Sequence, residues 1–210
     1  MSKWLLKFDV ESSVLSFPLL FKFFQRICGI NRVRATLIKE YIGNIENNRI
    51  LDIGCGLGDI LECLPNKVDY VGFDYDQRYI DFAKRYYSDR GIFFCEAINR
   101  KTTTITRSSF DIVIAGGVLH HLNEEQALEL VHLAKLALKP GGKFITHDGC
   151  YTENQSSFSR YILSKDRGQY MRTEKEYLKL VSKVFLNVKA SVRYDLYRIP
   201  YPVLLMAMVK

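Results

Sequence analysis

Three glycines at alternate positions, Gly54, Gly56 and Gly58, follow the carboxylate of Asp52 in the run Leu51-Asp52-Ile53-Gly54-Cys55-Gly56-Leu57-Gly58-Asp59. Glycine lacks a Cβ, reaches positive φ without strain and lets a ligand touch the main chain. An apolar run before the turn and an amphipathic segment after it predict a strand, a tight turn and a helix start. The first N–H groups of such a helix and its positive dipole end attract polar ligands. The spacing differs from the Gly-x-Gly-x-x-Gly of dinucleotide sites. An anionic Asp52 beside the turn suits a cationic amino group better than a pyrophosphate. A second strand-like run, Val68 to Phe73, ends in Asp74, 20 residues beyond Gly54. In Rossmann-like folds a carboxylate at about that distance accepts hydrogen bonds from a ribose hydroxyl pair. The competing reading of Asp74 is a solvated strand-end residue, and Asp76 reads as the N-cap of the next helix.

Other chemistry-bearing residues fall at further strand ends. Glu96 and Ala97 follow Phe94-Cys95, and Gly116-Gly117-Val118-Leu119-His120-His121-Leu122 follows the apolar run Phe110 to Ala115. The run Thr146-His147-Asp148-Gly149-Cys150-Tyr151 closes a fifth strand. Side chains alternate along a strand, so His147 and Asp148 should point opposite ways. Asp148 is the favoured general base and His147 its rival. Downstream, Arg160, Lys165, Arg167 and Arg172 gather cations that suit a phosphate or carboxylate, arginine offering a planar fork for either. The alternative is a solvated loop.

The glycine turn, Asp74, Val118-Leu119-His120-His121-Leu122 and Leu138-Lys139-Pro140-Gly141-Gly142, in this order, resemble the motifs of class I S-adenosylmethionine-dependent methyltransferases of the small-molecule type. The resemblance spans residues 49–210. It implies S-adenosyl-L-methionine as cofactor, held by Asp52, Gly54, Cys55, Gly56, Gly58, Asp74, Tyr75, Glu96, Ala97, Gly116, Val118 and His121. Glu96 would meet the adenine amino group, although the glycine-aspartate pair usual in the family is absent. His121 is expected beside the methionine moiety, and His120 buried or capping. The Asn/Asp-Pro-Pro-Tyr of enzymes acting on amide or adenine nitrogens is missing, which weighs against those acceptors. Catalytic candidates are Asp148, His147 and His121; substrate-binding candidates are Tyr151, Arg160, Arg167 and Arg172. The cofactor brings its own activated methyl group, so the protein must chiefly position an acceptor and exclude water.

Around these residues, short β-rich runs alternate with helical segments. Strands are expected near 49–53, 68–73, 91–95, 110–115, 142–148, 183–190 and 201–209, and helices near 58–64, 77–87, 123–137 and 173–182. The class is α/β: a Rossmann-like, seven-stranded, mostly parallel sheet with an antiparallel last strand and helices on both faces. Residues 1–48 form an N-terminal helical cap, with Leu15, Leu19, Phe23 and Ile27 at near-helical spacing and a second helix over Arg32–Ile42. Residues 49–210 form the main domain, with an acceptor-covering insertion at about 150–172.

The net charge of +7 divides as +3 over residues 1–48, −2 over 49–150 and +6 over 151–210, so a basic field would come from the flanks. A basic chain raises RNA as an acceptor, but no appended RNA-binding module is present, which favours a small molecule, anionic or lipid-linked. A non-catalytic cofactor-binding protein is the other alternative. Trp4, Leu5, Phe8 and the stretch Phe17–Phe24 read either as a membrane-surface contact or as a helical cap over the cleft. The five cysteines show neither CxxC nor zinc-ligand spacing, so no metal is expected and the thiols read as reduced. With no secretory pattern and no spanning run, the expected location is cytoplasmic.

Overall fold

The computed structural model describes residues 18–43, 45–98, 102 and 107–210. Trp4, Leu5, Phe8, Leu15 and Phe17 lie outside the described residues. Strands β1 (Arg49–Ile53), β2 (Asp69–Asp74), β3 (Ile92–Cys95), β4 (Phe110–Gly116), β5 (Leu138–Tyr151), β7 (Asn187–Arg193) and β8 (Val203–Val209) form one sheet in the order β3-β2-β1-β4-β5-β8-β7. A two-residue strand, β6 (Arg172–Thr173), pairs with the end of β5 off this path. β8 runs antiparallel to both β5 and β7, and the remaining pairings are parallel. The expected Rossmann-like sheet with an antiparallel last strand is therefore present. The strand order reverses between β1 and β4, and open α/β sheets bind ligands beyond the carboxyl ends of the strands at such a switch.

The central strands are apolar on both sides, as parallel strands must be when helices cover both faces. Leu51, Ile53, Val71 and Phe73 join a core with α4 (Glu124–Ala137) and α6 (Glu174–Ser182). Ile50, Tyr70 and Ile112 join a second core with α2 (Ile30–Thr36), the wide helical turn Leu37–Ile42 and α3 (Gln77–Tyr87). Asp76 caps α3, its carboxylate accepting from Arg78 N at 2.9 Å. Capping boxes Asn123/Gln126 and Thr173/Glu176 start α4 and α6. Ahead of the sheet, α1 (Pro18–Cys28) is separated from α2 by Gly29, whose φ of 101° breaks the helix.

Several elements differ from expectation. The helix expected over 58–64 is a single 3-10 turn, Asp59–Cys63, because Leu64 precedes a proline and is forced extended at φ −95°, ψ 149°. β5 starts at Leu138 rather than 142, since Gly141 N and Gly142 O both pair with Lys210 and carry the Pro-Gly-Gly segment along the sheet. β7 begins at Asn187 rather than 183, because Val184 and Phe185 still donate back to Val181 O as the end of α6. The insertion contains a helix, α5 (Ser157–Ser164), capped by Ser156.

Candidate active site

The turn after β1 is shaped by its main chain. Gly54, Gly56 and Gly58 have φ of 74°, 54° and 70°, and Gly54 N and Cys55 N both donate to Phe73 O, at 2.8 and 2.9 Å. A Cβ on Gly54 would lie 2.6 Å from Val118 Cγ2, so the turn passes hard against the segment after β4. Asp74, at the carboxyl end of β2, accepts from Gly56 N at 2.9 Å through one oxygen and from Asp76 N at 2.9 Å through the other. Burial raises its carboxyl, and these N–H donors partly offset the rise. Beside it, Arg34 of α2 makes a bidentate buried pair with Asp59, at 2.9 and 2.8 Å. Breaking such a pair typically costs about 3–5 kcal/mol, so it clamps α2 to the turn.

A cavity of about 780 Å³ opens at this turn. The ends of β1, β2 and β3 contribute Gly54, Cys55, Gly56, Asp74, Tyr75, Glu96 and Ala97 to its wall. Later segments contribute His120, His121 and His147, the loop carrying Lys165, Asp166 and Arg167, and Tyr197 and Tyr201 from the link before β8. Phe21 and Phe24 of α1 complete the wall, Phe21 stacking on Tyr79 with 5.5 Å between ring centroids.

His120 sits between two carboxylates: Nδ1 is 2.9 Å from Asp148 Oδ1, and Nε2 is 3.4 Å from Asp166 Oδ1. Burial alone would depress its pKa, but the hydrogen bonds to Asp148 and Asp166 outweigh it and raise it to about 9. The imidazolium in turn holds Asp166 well below the usual carboxylate range against the opposing effect of burial. Tyr201 OH donates to the other Asp166 oxygen at 2.8 Å. Burial lowers His147 to about 4; burial, with the charge on His120, lowers His121 to about 4. At neutral pH this wall therefore presents one charged and two neutral imidazoles.

Residues 51–144 match the family described as "Methyltransferase domain". The chain is 28% identical over 186 residues to phosphoethanolamine N-methyltransferase of Plasmodium falciparum, covering 83% of this chain and 68% of that protein. It is 28% identical over 123 residues to ubiquinone biosynthesis O-methyltransferase of Photorhabdus laumondii, covering 57% of this chain and 50% of that one. In fold it is similar to Haemonchus contortus phosphoethanolamine N-methyltransferase 2 in complex with S-adenosyl-L-methionine. That similarity has a TM-score of 0.75 at 16% identity and covers 100% of this chain and 61% of the other. The chain is thus similar to methyltransferase domains over residues 51–144 and shares the fold of an S-adenosyl-L-methionine-bound methyltransferase. It spans about half the length of the quinone-pathway relatives that it matches.

Within this domain the structure gathers most of the residues singled out in the sequence: Gly54, Cys55, Gly56, Asp74, Tyr75, Glu96, Ala97, Gly116, Val118, His121, His147 and Arg167 all reach the cavity. Others stand elsewhere. Asp52 is fully buried off the cavity lining and accepts from Tyr70 OH at 2.6 Å; burial pushes its carboxyl up to about 7. Gly58 packs under Phe93, where a Cβ would lie 2.9 Å from the ring. Asp148, favoured in the sequence as the base, is 1% exposed and off the cavity wall, engaged with His120. Strand alternation aims His147 at the cavity and Asp148 into the interior. Tyr151 and Arg160 stack on each other, 5.3 Å from guanidinium to ring centroid, away from the cavity. Arg172 donates to Leu119 O at 2.9 Å and Leu122 O at 2.8 Å, so it pins the turn that bears the two histidines.

Sequence reasoning missed Asp166, Tyr197, Tyr201 and the Arg34–Asp59 pair. Asp166-Arg167-Gly168 carries an Asp-x-Gly turn signal, and Asp166 indeed accepts from Gly168 N at 2.8 Å. The partner of that turn, His120, lies 46 positions earlier and no local pattern links them.

Proposed function

We propose that the chain transfers the methyl group of S-adenosylmethionine to a nucleophilic heteroatom of a small anionic metabolite. The observation that carries this reading is a single cavity shared by two unlike walls. One wall is the Asp74 and Gly56 cradle; the other holds His121 and His147 with the cations Lys165 and Arg167 at its edge.

In this reading the ribose hydroxyls meet Asp74, and the adenine lies against Tyr75, Glu96 and Ala97. The methionine end reaches past Gly54 and Gly116 toward the histidines. Neutral His147, whose ring lies close under Gly116, orients the acceptor through a hydrogen bond; burial lowers its pKa to about 4 and keeps it an uncharged partner. Such positioning contributes on the order of a hundredfold. Lys165 and Arg167 hold the acceptor's phosphate or carboxylate. Charged His120 is already committed to Asp148 and Asp166 and acts as a brace. The named activities of the relatives, on phosphoethanolamine and on ubiquinone precursors, support an acceptor of metabolite size.

A second reading, a lipid-linked acceptor, is favoured by α1. Leu19, Leu20, Phe23 and Ile27 are exposed on this helix, while its Phe24 reaches the cavity. No described helix is long and apolar enough to cross a membrane.

The deciding experiment is calorimetry with S-adenosylhomocysteine, followed by label transfer from S-adenosylmethionine to phosphoethanolamine and to a polyprenylated phenol. Heat of binding with label on the phosphorylated amine supports the first reading, and label on the phenol with flotation on liposomes supports the second. Absence of heat overturns both.

A further inference from the structure

Two consecutive histidines and one distant aspartate converge on one point of the cavity wall. The ligand-capable atoms of His120, His121 and Asp166 all lie within 4.8 Å of one another. We propose that this cluster is a binding site for one divalent transition-metal ion of the zinc type, with its open coordination position facing the acceptor. Cysteine spacing in the sequence points to no metal; this site instead uses imidazole and carboxylate brought together by the fold.

The donor set fits the ion. Two imidazoles and a carboxylate are the ligands of many zinc centres that keep a fourth position open for water or substrate. Each ligand is also held from behind. His120 Nδ1 meets Asp148 Oδ1 at 2.9 Å, which turns Nε2 toward Asp166 and His121. A carboxylate behind a ligating histidine fixes the tautomer and raises the basicity of the ring. The His121 ring donates to the Arg167 backbone carbonyl, and Asp166 is held by Tyr201 OH at 2.8 Å and Gly168 N at 2.8 Å. The turn bearing the histidines is pinned by Arg172 through Leu119 O and Leu122 O. Gly168 is so close to His120 that a Cβ there would lie 2.1 Å from its Cδ2, so the loop and the ring keep one relative position. Such an array costs little reorganisation to bind an ion.

Charge balances too. Asp166 and Asp148, both against His120, supply two carboxylates opposite a divalent cation. All three ligands reach the cavity, so the free position opens onto the space where the acceptor would sit. A metal there lowers the pKa of a bound hydroxyl or thiol and leaves the nucleophile deprotonated. That catalytic role rests on the methyl-transfer reading above; the binding of the ion does not.

The test uses the full chain, freed of metal by chelator dialysis. Titration with zinc should give about one equivalent per chain, and cobalt should give tetrahedral visible bands without the near-ultraviolet thiolate band. Asp166→Asn and His121→Gln should each weaken zinc at least about tenfold, and Asp148→Asn about tenfold through its grip on His120. Cys95→Ser, which removes an exposed thiol remote from the cluster, should leave zinc binding unchanged. The proposal is overturned if the wild type takes up no zinc and shows no cobalt spectrum, whatever the variants do. Zinc heat that persists in the ligand variants and disappears in Cys95→Ser overturns it as well. Homocysteine-nucleoside binding measured on the same sample separates failure of this site from failure of the methyltransferase reading.

Discussion

The two walls of the cavity are built on opposite plans. The wall around Gly56 and Asp74 is made largely of main chain and neighbouring strand ends, and the hydrogen bonds of its glycine turn join residues 19 or fewer positions apart. The wall around His120 is made of side chains from β5, the loop after α5 and the link before β8, which join residues 28 and 35 positions apart or more. A backbone cradle suits a ligand that never changes. A side-chain cage lets the second ligand differ while the fold stays the same. In the proposed reading, the half of the site that meets the invariable cofactor is written locally and the half that selects the acceptor is assembled at a distance.

The sharpest way to break this contrast is Asp74→Ala. It leaves Gly56 N–H and Asp76 N–H without their acceptor, at about 1–3 kcal/mol each. Affinity for S-adenosylhomocysteine should fall by on the order of a hundredfold in calorimetry, and an unchanged affinity would move the cradle elsewhere. His147→Gln attacks the other wall: turnover should drop on the order of a hundredfold with nucleoside affinity within about threefold. Equal losses in both would mean that the two walls are one site. Arg167→Ala should raise the acceptor KM by about tenfold, one lost charge-assisted contact, and leave kcat nearly unchanged.

Acid–base behaviour separates the walls further. His120 has its pKa raised from 6.5 to about 9 in the folded chain, so its ion cluster stabilises fully below pH 6.5 and loses that stability as pH rises through about 9. Chemical denaturation between these limits should show the decline in the wild type and a flatter profile in His120→Gln. The smallest effects belong to Tyr151→Ala and Arg160→Ala. Each removes part of a stack off the cavity wall and should change acceptor KM by less than about twofold and stability by about 0.5–1 kcal/mol. A larger change in KM would bring this stack into the acceptor site.

How much of this was legible in the chain follows the same division. The Gly54 to Gly58 turn, Asp74 at the end of β2 and the N-cap Asp76 could be read because each works on residues within a few positions or one βαβ unit away. Strand alternation correctly set His147 and Asp148 on opposite sides of β5 but not which of them faces the cavity. That choice depends on the pairing with β4 and β8 and on which helices cover each face. The cation run after β5 was visible as charge. Its division into Arg167 at the cavity, Arg160 on Tyr151 and Arg172 on the carbonyls of the histidine turn is a matter of tertiary geometry. Asp52 lies off the cavity lining with its carboxylate engaged by Tyr70 OH, a partner 18 positions away that the glycine turn beside it does not reveal.

Helix α1 joins the two plans through a few surface contacts. Phe21 lies on Tyr79, and Lys22 and Arg26 both reach Glu62, fastening the helix to the nucleoside side while its Phe24 borders the acceptor space. Ion pairs at a solvent boundary weaken as the Debye length shrinks, about 8 Å at physiological ionic strength and about 3 Å at 1 M. In the proposed reading, the helix bordering the nucleoside side thus hangs on a fastener that salt can loosen, and methyl transfer takes place among buried imidazoles that salt scarcely touches. In concentrated electrolyte this molecule should exchange its spent nucleoside faster without performing its chemistry any differently.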